Sequence, residues 1–289
     1  MSRKDWHATE VVTTRDNREA IEYGLMEAGA LGTETTEHDD DVRITGYFEH
    51  PVDQARVRKA LGDALRIYSR VVGDEVDFNV SEFADRDWLA EWKNHWRPIE
   101  VGRFIVTPPW IESVPPASAS GPARDRIVIA INPGMAFGTG THETTRLCLK
   151  AIEKYFRGGS FLDVGTGAGI LAIAAAKMFS DARVEACDTD ADAISIAWEN
   201  ARLNSVSDRI TFRLGTVDEQ TLSADLVCAN LTAPVIVELL PRLLGATCGR
   251  LIISGILDTQ IGLVRARLLK LGLTTFDFDQ DGEWMALVV

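Results

Sequence analysis

Phe161-Leu-Asp-Val-Gly-Thr-Gly-Ala-Gly-Ile-Leu-Ala-Ile-Ala-Ala-Ala-Lys177 is the stretch that decides the fold. A short apolar run enters Gly165, Gly167 and Gly169, and an alanine-rich segment follows. The pattern reads as strand, tight turn and helix. Glycine lets the backbone turn sharply and come close to a ligand. The helix start then offers free N–H groups and the positive end of its dipole.

Working outward, the same alternation continues from Ile127 to the end of the chain. Strands are expected at Ile127–Ile131, Ser160–Val164, Arg183–Asp188, Ile210–Arg213, Leu226–Asn230, Gly249–Ser254, Thr274–Phe278 and Trp284–Val289. Helices are expected between them, at about 142–156, 170–179, 190–204, 232–245 and 258–270. Repeated strand–helix units with nearly continuous apolar strands predict an α/β fold with a doubly wound, mostly parallel sheet. The turn Gln280-Asp-Gly-Glu283 predicts an antiparallel hairpin at the sheet's end.

The spacing of the glycines narrows the ligand. A dinucleotide loop is GxGxxG, and here Ile170 takes the place of its third glycine. GxGxG preceded by the acidic Asp163 fits instead the loop that binds S-adenosylmethionine. That cofactor has no pyrophosphate, and its cationic sulfonium suits an acidic rim. Asp163, Gly165 and Gly167 are therefore candidate cofactor residues. Asp188 ends the second strand, where a carboxylate can accept hydrogen bonds from both ribose hydroxyls; the alternative is a helix cap, a role that better suits Asp190. Asn230 ends the fourth strand at the crevice edge, where its amide oxygen can meet an incoming amine, or cap the next helix. Enzymes that methylate amino groups of bases often carry Asn/Asp-Pro-Pro-aromatic at this point. Asn230-Leu-Thr-Ala233 lacks the aromatic that would stack on a flipped base.

Before residue 127 the chain reads differently. Strands Glu10–Thr14, Leu31–Glu37, Val42–Glu49 and Val76–Val80 alternate with helices Asn17–Ala28, capped by Asp16, and Val52–Tyr68. The order is βαββαβ, a small ferredoxin-like α+β unit over residues 1–82. Residues 83–104 read as a bridging helix and linker, with Trp88, Trp92 and Trp96 four apart on one helix face. Residues 105–289 form the larger domain. Within it, 108–126 carries five of the ten prolines and reads as an irregular loop.

Composition bounds the function. At roughly 150 residues per domain, 289 residues suggest two domains. Hydrophobic residues at 46% and charged ones at 25% are ordinary for a globular chain. The 43 acidic and 30 basic residues leave a net charge of −13, which argues against nonspecific grip on nucleic acid and for a basic partner. Residues 1–78 carry −7 of it, from 17 Asp/Glu and 10 Lys/Arg. None of the four cysteines forms a CxxC, and Cys187 and Cys228 lie in apolar runs, so neither disulfides nor a metal site is expected. The start lacks a signal peptide's apolar stretch and no run could span a bilayer. A cytoplasmic, monomeric protein is expected.

One further segment is Asn132-Pro-Gly-Met-Ala-Phe-Gly-Thr-Gly-Thr-His-Glu-Thr-Thr-Arg146, a glycine-rich loop feeding a helix, with Thr141 as a suitable cap. This string closely resembles the ribosomal protein L11 methyltransferase family (PrmA). The likeness continues through Leu162–Ala175, Asp188-Thr-Asp190, Ala229-Asn-Leu231, Ser254-Gly-Ile-Leu257 and Gly282-Glu-Trp284, and includes Asp87-Trp-Leu-Ala-Glu-Trp92. It runs from about residue 85 to the end; the first 80 residues match in element order only.

The resemblance implies a class I methyltransferase with a small amino-terminal domain that recognises its substrate. That substrate is a small basic ribosomal protein, methylated on lysine side chains and its amino-terminal amine. By matching position, Thr139, Thr145, Gly165, Asp188 and Asn230 would form the cofactor site, with Phe137 and Trp284 as walls and Asn230 nearest the reacting methyl. Direct displacement by a neutral amine needs alignment and water exclusion more than a general base. His142 has a helix-start role. Three other readings stay open: a protein lysine methyltransferase acting on a non-ribosomal target such as an electron-transfer protein, a small-molecule or RNA methyltransferase, and a nicotinamide-dependent oxidoreductase, which Ile170 disfavours.

Overall fold

The computed structural model describes residues 6–38, 41–48, 51–68, 78–83, 98–111, 126–132 and 142–289. The tryptophan helix, most of the proline-rich segment, and the stretch with Phe137, Thr139 and Thr141 lie outside the described residues. What is described falls into two compact units, one within 6–83 and one within 98–289.

The first unit contains β1 (Trp6–Thr13), α1 (Arg18–Glu27), β2 (Gly32–His38), β3 (Asp41–Phe48), α2 (Gln54–Tyr68) and β4 (Phe78–Phe83). The strands form an antiparallel sheet in the order β2-β3-β1-β4. Alternate residues Val11, Val42, Ile44 and Phe48 are buried with Ile21 and Leu25 of α1 and Val57 and Leu61 of α2. Each such side chain contributes about 1.5–3 kcal/mol by leaving water. On the other alternate positions Arg43 pairs with Glu10 at 2.9 Å and Tyr47 donates to Glu34 at 2.6 Å. Asp16 does not cap α1: a single 3₁₀ turn, Arg15–Asn17, precedes the helix, and no side chain caps either start.

The second unit opens with a three-stranded sheet of β5 (Ile99–Val101), β6 (Phe104–Thr107) and β7 (Ile127–Ala130), in that order. This corrects two expectations. Residues 98–104 are a strand and turn of this sheet rather than linker. Ile127–Ala130 pairs with β6 and not with the large sheet.

The large sheet holds β8 (Ser160–Val164), β9 (Arg183–Asp188), β10 (Ile210–Leu214), β11 (Ala224–Asn230), β12 (Thr247–Leu257), β13 (Asp277–Asp281) and β14 (Trp284–Val288). Its order is β10-β9-β8-β11-β12-β14-β13. All neighbours are parallel except β14, which inserts antiparallel between β12 and β13. Helices α3 (Glu143–Tyr155), α4 (Ile170–Met178), α5 (Ala191–Leu203), α6 (Ala233–Gly245) and α7 (Ile261–Lys270) fill the connections. Leu162 and Val164 pack with Ile236, Leu240 and Leu243 of α6. Phe161, one residue before Leu162, points the other way and meets Phe156, just after α3, at 5.4 Å. The sheet is thus covered on both faces. Residues 170–176 of α4 are all buried, which is why its sequence is apolar all round.

Two further details differ from expectation. The sixth strand begins at Asp277 rather than Thr274, because Asp277–Asp281 is an edge strand whose carboxylates have partners. Asp281 pairs with Arg146 at 2.9 Å, and Asp277 accepts from Tyr155 at 2.6 Å. The cap of α3 is His142, not Thr141: its side chain accepts from the Thr144 N–H. Asp190 caps α5 as expected, accepting from Asp192 N at 2.9 Å.

Candidate active site

The strand order reverses direction between β8 and β11. In open α/β sheets, ligands bind at the carboxyl ends of the strands at such a point. The residues that close these ends are Gly165 after β8, Asp188 on β9 and Asn230 on β11, which is paired with Ser254 of β12. Ala229 is paired with Val164, so Asn230 stands next to the glycine turn.

The turn is held by backbone and carboxylate together. Gly165, Gly167 and Gly169 all have positive φ, at 73°, 53° and 84°. Gly165 N and Thr166 N both donate to Cys187 O. A Cβ on Gly165 would lie 2.3 Å from Leu231 Cδ2, so a larger residue would have to push the Leu231 side chain aside and adopt a strained positive φ. A Cβ on Gly169 would meet the Ala197 backbone of α5 at 3.1 Å, which lets α4 and α5 pack closely.

Asp188 is half-buried. One oxygen accepts from Gly167 N at 2.9 Å and the other from Asp190 N at 3.1 Å. It caps no helix; it hooks the glycine turn and retains lone pairs for hydroxyl donors. That arrangement fits the ribose of a nucleoside cofactor.

Asp163 is placed differently from its sequence expectation. It is fully buried beneath the turn and forms no acidic rim. Its Oδ2 accepts from Thr166 Oγ1 at 2.7 Å and Ala172 N at 3.2 Å, tying β8 to the start of α4. Its Oδ1 is buried with no partner. Burial pushes this carboxyl up to about 7, against the pull of the Thr166 and Ala172 bonds. Alternation along β8 explains the placement: Leu162 and Val164 face α6, so Asp163 must point the other way, inside the protein.

Asn230 is half-buried. It does not cap α6, whose N-cap is Thr232. Its Nδ2 donates to Thr144 Oγ1 at 3.2 Å, and its Oδ1 is buried without a protein partner. The structure therefore brings the end of β11 against the start of α3. There Thr145 is buried, with its hydroxyl also unpaired. Trp284 is buried and packs edge-on to His142 at 4.9 Å. Two orphaned oxygens beside a glycine turn and a hooked carboxylate suit a polar cofactor with an amino-acid end. Thr139 and Phe137 lie outside the described residues.

Sequence reasoning missed Thr144, Asn200 and Asn204. On α5, Asn200 Oδ1 accepts from Asn132 N at 3.0 Å while its Nδ2 donates to Ala168 O at 2.9 Å. Asn204 accepts from Ala130 N at 2.9 Å and donates to Ala130 O. Together the two amides take the place of a neighbouring strand along the edge of β7. They also join the glycine turn to the segment that begins at Asn132. The available signal was two asparagines four apart, one inside the helix, where asparagine is a poor helix former, and one at its C-cap.

Comparison with known proteins bears on this geometry. The family model described as ribosomal protein L11 methyltransferase (PrmA) matches residues 5–289. A ribosomal protein L11 methyltransferase of Pelotomaculum thermopropionicum is 38% identical over 250 residues, covering 85% of this chain and 78% of the relative. One from Myxococcus xanthus is 34% identical over 285 residues and covers 93% of each. Among solved structures, ribosomal protein L11 methylase from Lactobacillus delbrueckii subsp. bulgaricus has a TM-score of 0.57 at 29% identity. That match covers 67% of this chain and 97% of the other.

Proposed function

The chain belongs to the ribosomal protein L11 methyltransferase (PrmA) family, and on that premise we propose that it transfers methyl groups from S-adenosylmethionine to lysine side chains and the amino-terminal amine of ribosomal protein L11. The observation that carries the reading is the meeting of Asp188, hooked to the glycine turn, with the orphaned Asn230 oxygen at the sheet's reversal point.

When bound, S-adenosylmethionine supplies a methyl group on a sulfonium that leaves as a neutral thioether. The free lone pairs of Asp188 take the ribose hydroxyls. Gly165 and Gly167 let the backbone approach the nucleoside, and Asp163 props that turn from below. Thr145, Thr139 and Asn230 hold the amino-acid end, with Phe137 and Trp284 as walls.

The attacking lysine must be neutral, and free lysine has a pKa near 10.4. A site that excludes water lowers it by disfavouring the charged form. Asn230 Oδ1 and the Leu231 carbonyl accept the amine hydrogens and aim the nitrogen lone pair at the methyl. Alignment of this kind supplies much of the barrier reduction, and no side chain has to act as a base.

Residues 1–78, with a net charge of −7, recognise the basic substrate. No described helix is long and apolar enough to cross a membrane. The enzyme acts in this reading as a cytoplasmic monomer, and its net charge of −13 disfavours nonspecific nucleic-acid binding. The test is to incubate the enzyme with purified L11 and S-adenosylmethionine and weigh L11 and its peptides by mass spectrometry. Stepwise methyl increments on lysines and the amino terminus are expected. L11 that stays unmodified while the cofactor binds overturns the substrate; no cofactor binding overturns the reaction.

A further inference from the structure

We infer that Thr144 is a positioning residue for methyl transfer, its hydroxyl deciding which end of the Asn230 amide faces the incoming amine. The inference rests on the reading of Asn230 as the amine acceptor and extends it to a residue that touches neither substrate nor cofactor. Thr144 is 1% exposed and acts only through its neighbours.

An asparagine amide is nearly symmetric in shape but opposite in function at its two ends. Oδ1 accepts and Nδ2 donates. A neutral amine aligned for attack has hydrogens to give and needs an acceptor. Presenting Nδ2 instead would set donor against donor. Something must therefore hold the amide one way round.

Three contacts identify the holder. Thr144 N lies 3.3 Å from His142 Nδ1 as a donor, which assigns the tautomer with the lone pair on Nδ1. The same Nδ1 lies 2.8 Å from Thr144 Oγ1, so the single hydroxyl proton is directed to it. The hydroxyl oxygen is left only as an acceptor, and Asn230 Nδ2 donates to it at 3.2 Å. The donations run in one direction, from Asn230 to Thr144 to His142. Oδ1 is thereby turned away from Thr144, the orientation in which it is buried with no protein partner.

The experiment uses the full chain with L11 and S-adenosylmethionine. Thr144→Val keeps the shape and removes the hydroxyl. It is expected to lower kcat by about tenfold, the scale of one lost hydrogen bond, with a smaller change in cofactor Kd by calorimetry. Thr144→Ser keeps the hydroxyl and restores the rate. In an Asn230→Ala background, Thr144→Val costs nothing further, because the amide it orients is gone. If Thr144→Val does not fold, as judged by its thermal midpoint, Thr144→Ala takes its place in every comparison. A wild-type kcat for the variant without the hydroxyl overturns the inference, as does an equal loss in the Asn230→Ala background or a failure of Thr144→Ser to restore the rate. Asn230→Ala with full activity would instead overturn the acceptor reading beneath it.

Discussion

At the residue scale, two carboxylates near the same turn do opposite things. Asp188 stays half-buried with an N–H on each oxygen. Asp188→Ala is expected to weaken S-adenosylmethionine binding by at least tenfold, since a ribose hydroxyl pair bonded to a charged acceptor is worth about 1.5–3 kcal/mol per bond. Calorimetry with unchanged affinity would remove it from the site. Asp163 is fully buried and its carboxyl is pushed up to about 7 from an ordinary 3.8. The folded protein therefore holds a proton on it that the unfolded chain gives up. Its contribution to stability is fully present below about pH 4 and is lost as pH rises to about 7. Asp163→Asn cannot ionise. Its thermal midpoint minus that of the wild type should climb across that window and level off above it; a constant difference would mean Asp163 does not titrate there. Position alone put Asp188 and Asn230 at strand ends in the sequence, because strand ends are readable locally. The inward turn of Asp163 also follows from alternation along β8, but only once the side covered by α6 is known.

At the element scale, the glycine turn works because other elements brace it. Asn200 reaches from α5 to Ala168 O and Asn132 N at once. Asn200→Leu leaves the buried Ala168 carbonyl unpaired, a cost on the order of 1–3 kcal/mol, and frees the Asn132 N–H. Urea unfolding should show a loss of that size. Hydrogen exchange of the Asn132 amide should quicken, while an Asn200→Leu protein as stable as wild type would deny the brace. The helices of the large sheet were legible to within a few residues, since apolar spacing and glycine stops are local signals. The strand Asp277–Asp281 was not. Its alternate carboxylates are compatible with a strand only because Arg146, Lys150 and Tyr155 on α3 face Asp281 and Asp277. The small sheet of β5, β6 and β7 was also missed, since its three short strands are separated by a turn and a long irregular segment.

At the scale of the whole molecule, the charge of −13 is concentrated toward the start, with −7 on residues 1–78. If that charge steers a basic substrate, the methylation rate at low L11 concentration should fall several-fold between low and high salt, because screening shortens the reach of charge to about 10 Å at 0.1 M and 3 Å at 1 M. Cofactor affinity measured in the same buffers should hardly change. A rate indifferent to ionic strength would return the acidic residues to ordinary surface solvation.

By itself the sequence determined the α/β architecture and put Gly165, Asp188 and Asn230 at the ends of its strands. Each of these is written in contiguous residues, as an apolar run, a glycine spacing or a polar residue at a strand's end. Only the tertiary structure decided the hydrogen-bond partners of Asp163, Thr144, Asn200 and Asn204. Thr144 meets Asn230 across 86 residues, and Asn200 meets Asn132 across 68. A hydrogen bond depends on where two groups arrive in space, and no local pattern carries that information until the sheet has brought its distant strands and helices side by side.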